Sequence, residues 1–354
     1  MADKVIRVGI IGAGRNTRDK HIPGLRAQPN VELASVANRT IESAQKVAGE
    51  MEIPHAAADW TEIIGDKDID AVCIGTWPYM HSALTIAALE AGKHVLCEAR
   101  MAMNLAEARE MLKVSRRYPS RVAQIVPAPR TLGFDQTIVE MIGAGYIGDL
   151  ITVDARMAPG SGFPAFGSPL HWRHDRDFSG NNIMSMGIWY ESMMRWVGPM
   201  STVHAVGQSV VSHRVDDTGR RVPMTIPDHI DVIGKMEQGG QMRFELSSVL
   251  GHAQANAEIY IFGTEGTLCL REDNSGTMSL SAGKRGEDGL QDVKIDPAKR
   301  GAWRVEEEFI NVIRGREPVT HTDFVTGVKY MEWTDAVTLS LRRGEAVKLP
   351  LLPA

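Results

Sequence analysis

The stretch Ile6-Arg7-Val8-Gly9-Ile10-Ile11-Gly12-Ala13-Gly14 decides how the chain folds. Ile6–Ile11 is mostly apolar rather than alternating, as expected of a strand in a parallel sheet with helices on both faces. Gly12-Ala13-Gly14 follows it and opens a helix, where a phosphate-binding turn belongs. Gly12 permits the tight turn, and Gly14 lets the backbone approach a pyrophosphate whose charge the helix N-terminus favours. The third glycine of GxGxxG is absent, and Thr17 stands there. Taken alone the motif is equally a plain glycine turn; its position at the head of a βαβ series makes it a dinucleotide site. Arg15 and Asn16, beside the turn, join Gly12 and Gly14 as candidates for holding the cofactor.

Outward from this turn, short β-branched runs alternate with helix-like segments. The runs are Ile6–Ile11, Val31–Ala37, Ala71–Ile74, His94–Cys97 and Arg121–Val126. Between them Lys20–Ala27, Thr40–Met51, His81–Ala91 and Leu105–Arg117 carry apolar residues at spacings of three and four. This repetition predicts an α/β Rossmann domain over 1–125, a doubly wound parallel sheet. The tip of the second run, Asn38-Arg39-Thr40, lacks the acid that normally holds the ribose 2′-OH of NAD. Arg39 could pair with a 2′-phosphate, which favours NADP over NAD, unless Thr40 merely caps the next helix and Arg39 lies in solvent.

After about Gly148 the texture changes. Ile151–Arg156, His229–Met236, Gln241–Ser247 and Glu258–Phe262 are separated by turn clusters such as Glu237-Gln238-Gly239-Gly240, which predicts an open, mostly antiparallel sheet within 126–354. Gly276–Lys299 reads as hairpin turns at a sheet edge, and Ala302–Arg314 and Asp323–Arg343 read as closing helices.

The chain has 354 residues, 43% hydrophobic and 23% charged, with a net charge of −5 and both signs interspersed. That length suggests two domains, and the charge leaves no footprint for nucleic acid or anionic lipid. Val8–Gly14 ends at Arg15 without a cleavage-type site and reads as a strand, not a leader. No run approaches a membrane span. Cys73, Cys97 and Cys269 form no zinc spacing and read as buried reduced thiols, which favours a cytoplasmic protein.

With Val8–Gly14, His21-Ile22-Pro23, Thr76-Trp77-Pro78-Tyr79-Met80-His81, Gly92–Glu98, Trp172-Arg173, Gly263–Thr267 and Trp303 in view, the chain resembles the Gfo/Idh/MocA oxidoreductases over almost its whole length. The resemblance implies an N-terminal Rossmann domain and a C-terminal α/β domain for substrate binding and oligomerisation, with a homo-oligomer (dimer or tetramer). It also implies NAD(P)-dependent chemistry on sugars, polyols or related small molecules. The family's Glu-Lys-Pro aligns with Glu98-Ala99-Arg100, and its Asp-x-Gly-x-His with Ser185-Met186-Gly187-Ile188-Trp189. The usual lysine, aspartate and histidine are therefore replaced. Alcohol oxidation sheds a proton as hydride leaves, and a positioned acid or base is worth roughly 10²–10⁴ in rate, about 3–5 kcal/mol. Ala99 cannot titrate, Trp189 accepts nothing and Arg100 stays protonated.

Replacement chemistry is sought in His171-Trp172-Arg173-His174-Asp175-Arg176-Asp177. His171 or His174 could act as general base, with Asp175 or Asp177 orienting it or Arg173 binding an anionic group; a surface loop laced with ion pairs is the plainer account. The spacing of His171, His174 and Asp175 matches no standard zinc site, so no metal is expected. Tyr190 could donate a proton to a carbonyl, or be a core tyrosine. Arg100, Arg173, Asp175 and Trp189 are candidate substrate contacts. On the cofactor side stand Asn38, Arg39, Thr40, Thr76, Trp77, Pro78, His81 and Glu98, with Trp77-Pro78 as a ring contact or a simple turn. Three functions follow: hydride transfer on a sugar-like compound with non-standard acid/base residues, redox-neutral chemistry with a recycled cofactor, or a non-catalytic ligand sensor or partner subunit.

Overall fold

In the computed structural model, which describes residues 4–159 and 162–352, the first six strands are β1 (Ile6–Ile11), β2 (Val31–Ala37), β3 (His55–Ala56), β4 (Ala71–Ile74), β5 (His94–Cys97) and β6 (Ala123–Ile125). They form one parallel sheet in the order β3-β2-β1-β4-β5-β6. Every residue of β4, and all but one of β1, is buried, which is why these strands read as unbroken apolar runs. The order reverses between β1 and β4, the switch point at which open α/β sheets bind ligands beyond their carboxyl ends.

The helices start where side-chain acceptors cap them. Thr40 accepts from Ser43 N at 3.3 Å ahead of Ile41–Glu50, and Asn104 accepts from Glu107 N at 3.0 Å ahead of Leu105–Arg117. The helix expected from His81 begins earlier, as Pro78–Glu90, with proline in its first turn, and the one expected from Lys20 begins as Thr17–His21 and continues through Ile22–Arg26. Sequence periodicity missed β3 and the helix Trp60–Gly65, both too short to show a period, and also Leu132–Gly143.

The chain divides into two units, and not at residue 125. The first takes the residues up to Pro127 together with Trp303–Met331; the second takes Ala128–Ala302 and the residues from Glu332 onward. The reason lies in packing. Val305, Phe309 and Ile310 are buried in the same core as Ile10, Ile22, Leu25 and Val36, so the helix Val305–Ile313 joins the first unit despite its place in the chain.

The second unit holds β7 (Leu150–Met157), β8 (Thr202–Gln208), β9 (His213–Val215), β10 (Arg221–Pro223), β11 (His229–Lys235), β12 (Gln241–Ser247), β13 (Ala257–Gly263), β14 (Gly266–Glu272), β15 (Met278–Lys284), β16 (Gln291–Asp292) and β17 (Val347–Lys348). Nine of them form a sheet in the order β16-β15-β14-β13-β7-β12-β11-β8-β17, antiparallel except for β7 with β12, while β9 and β10 pair separately. The Gly276–Lys299 segment supplies β15 and the edge strand β16. Met186–Val197 carries Tyr190 into the core of this unit, where its ring stacks on Trp333 with centroids 4.0 Å apart. No helix among the described residues is long and apolar enough to cross a membrane.

Candidate functional site

At the end of β1 the chain turns over Gly12 with φ +87°. A Cβ there would stand 2.6 Å from Thr76 N and 2.8 Å from the Gly75 carbonyl carbon, so no larger residue fits without moving the turn. Asn38 Oδ1 accepts from Ala13 N at 2.8 Å, and Asn38 Nδ2 donates to Ser43 Oγ at 3.0 Å, which ties the turn to the tip of β2. Thr17 explains how the third glycine is dispensed with: the side chain is buried and its hydroxyl donates to Gly12 O at 3.1 Å, closing the turn from within. Arg18 N bonds to Gly14 O at 3.0 Å, so the amides of Arg15, Asn16 and Thr17 open the helix without partners further back in it.

Above this turn lies a cavity of about 350 Å³. Gly12, Ala13 and Gly14 form its floor, Asn38, Arg39 and Thr40 one end, and Thr76, Trp77 and Tyr79 the other side, with Trp60 also lining it. None of the lining residues is a carboxylate. The exposed Arg39 is the charged group at the β2 tip. A glycine floor, first-turn amides and this volume fit a dinucleotide. Arg15, Asn16, Gly12 and Gly14 would hold its diphosphate, and Arg39 and Thr40 its adenosine end. Trp60 escaped the sequence reading because its helix is only six residues long.

Glu98, expected on the cofactor side, belongs to a cluster with His21 and Glu306 that the sequence did not reveal. His21 is completely buried; its Nδ1 lies 2.5 Å from Glu306 Oε1 and its Nε2 2.9 Å from Glu98 Oε1. Glu98 also accepts from Ala99 N at 3.0 Å and from Asn16 Nδ2, while Trp303 Nε1 donates to Glu306 Oε2 at 2.9 Å. Both ring nitrogens thus face carboxylate oxygens, which calls for two N–H groups and hence an imidazolium. Burial alone would lower its pKa, but the hydrogen bonds to Glu306 and then Glu98 raise it to about 9. Burial would likewise raise Glu98, but the hydrogen bond and charge of His21 hold it below the usual carboxylate value. The sign of the pH dependence follows. With the folded-state pKa near 9 and the unfolded value at 6.5, the stability His21 contributes is complete below pH 6.5 and is lost as pH rises through about 9. Urea unfolding followed across this range should show stability falling on the alkaline side, and a flat profile would contradict it.

Several sequence-predicted residues are withdrawn into the interior. His81 is fully buried, its ring nitrogens 2.8 Å from Arg100 O and 3.0 Å from Thr76 O. Burial pushes its pKa down while these two carbonyls oppose the shift, and the ring lies between the loop after β4 and the one after β5 rather than in the cavity lining. Pro78 is buried in the first turn of its helix, and Arg100 is only 2% exposed. Tyr190 is a core tyrosine: its hydroxyl accepts from Met200 N at 2.8 Å, and burial raises its pKa well above the ordinary value. That removes it from the candidate proton donors. Trp189 is 1% exposed, with the Arg130 guanidinium 5.6 Å from its ring, so it forms no open substrate wall. Tyr190 and Trp189 point about 100° apart on one helix, yet both faces are covered.

The His171–Asp177 stretch is more open. His171 Nδ1 accepts from Arg173 N at 3.3 Å, Arg173 stacks over Trp172 at 4.2 Å, and Asp175 caps Arg176–Ser179 by accepting from Asp177 N at 2.9 Å. His174 is half-buried beside His171, ring centroids 6.1 Å apart. Burial, then Arg214 and His171, push its pKa down to about 4, so the ring is neutral at pH 7. Among the described residues no group of three His, Cys, Asp or Glu side chains is placed to hold a metal ion.

The family profile described as an oxidoreductase family with an NAD-binding Rossmann fold matches residues 6–124, and that of the corresponding C-terminal domain matches residues 136–269. The chain belongs to the Gfo/Idh/MocA family. A 1,5-anhydro-D-fructose reductase of Ensifer adhaerens is 29% identical over 300 residues, 82% of this chain and 84% of that one. A trans-1,2-dihydrobenzene-1,2-diol dehydrogenase of Bos taurus is 28% identical over 268 residues, 74% and 72% of the two chains. In fold, this Gfo/Idh/MocA member matches levoglucosan dehydrogenase in complex with NADH and levoglucosan at a TM-score of 0.83, covering 99% and 100% of the two chains at 22% identity. Membership makes oxidoreductase activity on a nicotinamide cofactor the expectation, and the glycine turn and its cavity stand where an NAD-binding Rossmann fold holds its dinucleotide.

Proposed function

We propose that the protein is an NADP-dependent oxidoreductase that transfers hydride to or from a cyclic polyol or anhydrosugar. The observation that carries this reading is the cavity over Gly12–Gly14, which has Arg39 at its β2 end and no lining carboxylate. A carboxylate there would repel a 2′-phosphate carrying about two negative charges, whereas a guanidinium pairs with it in a fork. The substrate class is supported by relatives named for anhydrosugars, the 1,5-anhydro-D-fructose reductase and levoglucosan dehydrogenase. Such substrates carry hydroxyls but no net charge, in keeping with a chain that needs no strongly basic surface to recruit them.

The proton that accompanies hydride needs a partner other than the missing lysine and histidine. With Tyr190 sealed in the core, His174 is the better candidate: a neutral imidazole at pH 7 accepts a proton, and His171, Arg173 and Asp175 lie beside it in sequence. Arg173 and Asp175 are the proposed substrate contacts, and a cytoplasmic homo-oligomer is the proposed assembly. Absorbance at the nicotinamide band tests the reading. Purified protein is mixed with NADP⁺ or NAD⁺ and a panel of anhydrosugars, cyclitols and aldoses, and the reverse direction is run with their keto derivatives. Reduction of NADP⁺ faster than NAD⁺ by at least one compound is expected. A protein that binds cofactor and converts a substrate with no net absorbance change would instead favour a recycled cofactor, for which the alanine at position 99 is the specific argument, and one that converts nothing would overturn the reading.

A further inference from the structure

Glu98 stands at the carboxyl end of β5, its amide bonded to Ile74 O at the end of β4. A dinucleotide whose diphosphate crosses Gly12–Gly14 and whose adenosine lies toward Arg39 on the β2 side must send its other half toward β4 and β5. The nicotinamide half therefore comes to the side of the sheet where the Glu98–His21–Glu306 chain begins. Of the three, only Glu98 reaches solvent, with 15% of its side chain exposed against 0% for His21 and 3% for Glu306.

We propose that this buried chain sets the relative affinity of the protein for the oxidised and reduced forms of its cofactor, by gaining or losing one proton on His21. The inference rests on the dinucleotide reading above. With His21 as imidazolium the three groups carry a net charge of one negative unit. When its proton leaves through Glu98 to solvent, the charge becomes two negative units, because both carboxylates stay ionised. The oxidised nicotinamide ring bears a positive charge and the reduced ring none, so the second negative charge stabilises only the oxidised form. In the family pattern a lysine follows this glutamate; here Ala99 supplies no charge at that position.

Among the described residues beside the chain, Arg100, two residues beyond Glu98, is a buried guanidinium whose charge does not change with pH in this range, and Cys97 of β5, facing Glu98, is held as a thiol by burial. From β4 the buried Cys73 faces the two carboxylates and stays a thiol, its pKa pushed up by burial. From Pro78–Glu90 comes His81, its pKa pushed down by burial and its ring between two backbone carbonyls. Asn16 and Trp303 contribute neutral donors. On the helix of His21 itself, Arg18 and Asp19 face outward to Glu50 and Arg15.

The test is the dissociation constant of oxidised and of reduced NADP, each measured by calorimetry at intervals between about pH 6 and pH 10. The ratio of reduced to oxidised dissociation constants should rise about tenfold as pH passes through the alkaline range, since one charge is added near the ring. In Glu306→Gln, His21 keeps one carboxylate partner, and the midpoint of the rise should move toward the ordinary histidine value. In His21→Gln the rise should vanish while the fold and binding persist. If that variant does not fold, the shifted midpoint in Glu306→Gln decides alone. A ratio independent of pH in the native protein, or an unmoved midpoint in Glu306→Gln, overturns the proposal while leaving cofactor binding intact. Absence of binding by either form at every pH overturns the dinucleotide reading itself.

Discussion

Gly12→Val is expected to weaken dinucleotide binding by about five- to 150-fold, with the fold retained. The native φ of +87° is one that a β-branched residue rarely adopts, and its Cβ would press on Thr76 N and the Gly75 carbonyl. Relief requires the turn to move, and overpacking of this kind costs about 1–3 kcal/mol, where each 1.4 kcal/mol is tenfold in affinity. The moved atoms are those on which a diphosphate would rest, so the cost falls on binding more than on stability. Gly276→Val is the control: φ there is +85°, nothing lies within 4 Å of its Cβ, and it sits in the second unit, so a comparable backbone penalty should leave affinity unchanged. Titration calorimetry of both variants, with circular dichroism as the check on folding, distinguishes them. Equal affinities for Gly12→Val and the native protein would mean that the ligand lies elsewhere.

The second large effect is on stability. His21→Leu should destabilise the protein by about 3–5 kcal/mol at pH 7, because it removes the cation between two carboxylates and leaves their charges buried and opposed. Leucine fills much of the volume, so the loss is electrostatic rather than a cavity effect. It also has a signature in pH. Lowering the pH lets one carboxylate take up a proton, so the deficit of the variant should shrink in acid, where a packing defect would stay constant. Urea unfolding of the two proteins at neutral and at mildly acid pH reads both quantities. A deficit below about 1 kcal/mol, or one independent of pH, would show that the three groups are not coupled as the geometry implies.

Much of the first unit was legible because its signals are local. β1, β2, β4 and β5 were delimited to the residue by apolar runs that end at glycine, asparagine or acidic residues, and Leu105–Arg117 by its helical period behind Asn104. The turn at Gly12–Gly14 was local as well. What sequence order hides is packing between distant segments. Phe309 and Ile310 complete the core around Ile10 and Val36, which no reading of neighbours could reveal and which moved Trp303–Met331 into the first unit. His21 and Glu306 lie 285 positions apart in the chain, so their bond left no spacing to detect. The matching His21-Ile22-Pro23 and Trp303 marked the places without marking the contact.

Three candidate site residues, Tyr190, Arg100 and His81, lie inside the fold for a related reason. Residue type announces what a side chain can do, while accessibility decides whether it does. Tyr190 and Arg100 have the chemistry of a proton donor and an anion binder, but the structure buries both, and the Tyr190 hydroxyl is engaged with Met200 N. His81 looked like a ligand at a strand end and is instead a buried clasp between two loops. The Thr40 hydroxyl does what the plainer sequence reading allowed, capping its helix, while the residue also lines the cavity.

Calorimetric titration of the native protein with NADP⁺, and separately with NAD⁺, addresses the cavity over Gly12–Gly14 most directly. One site per chain, with NADP⁺ bound more tightly, is the predicted outcome. Heat of dilution alone with both nucleotides would contradict the account at its root.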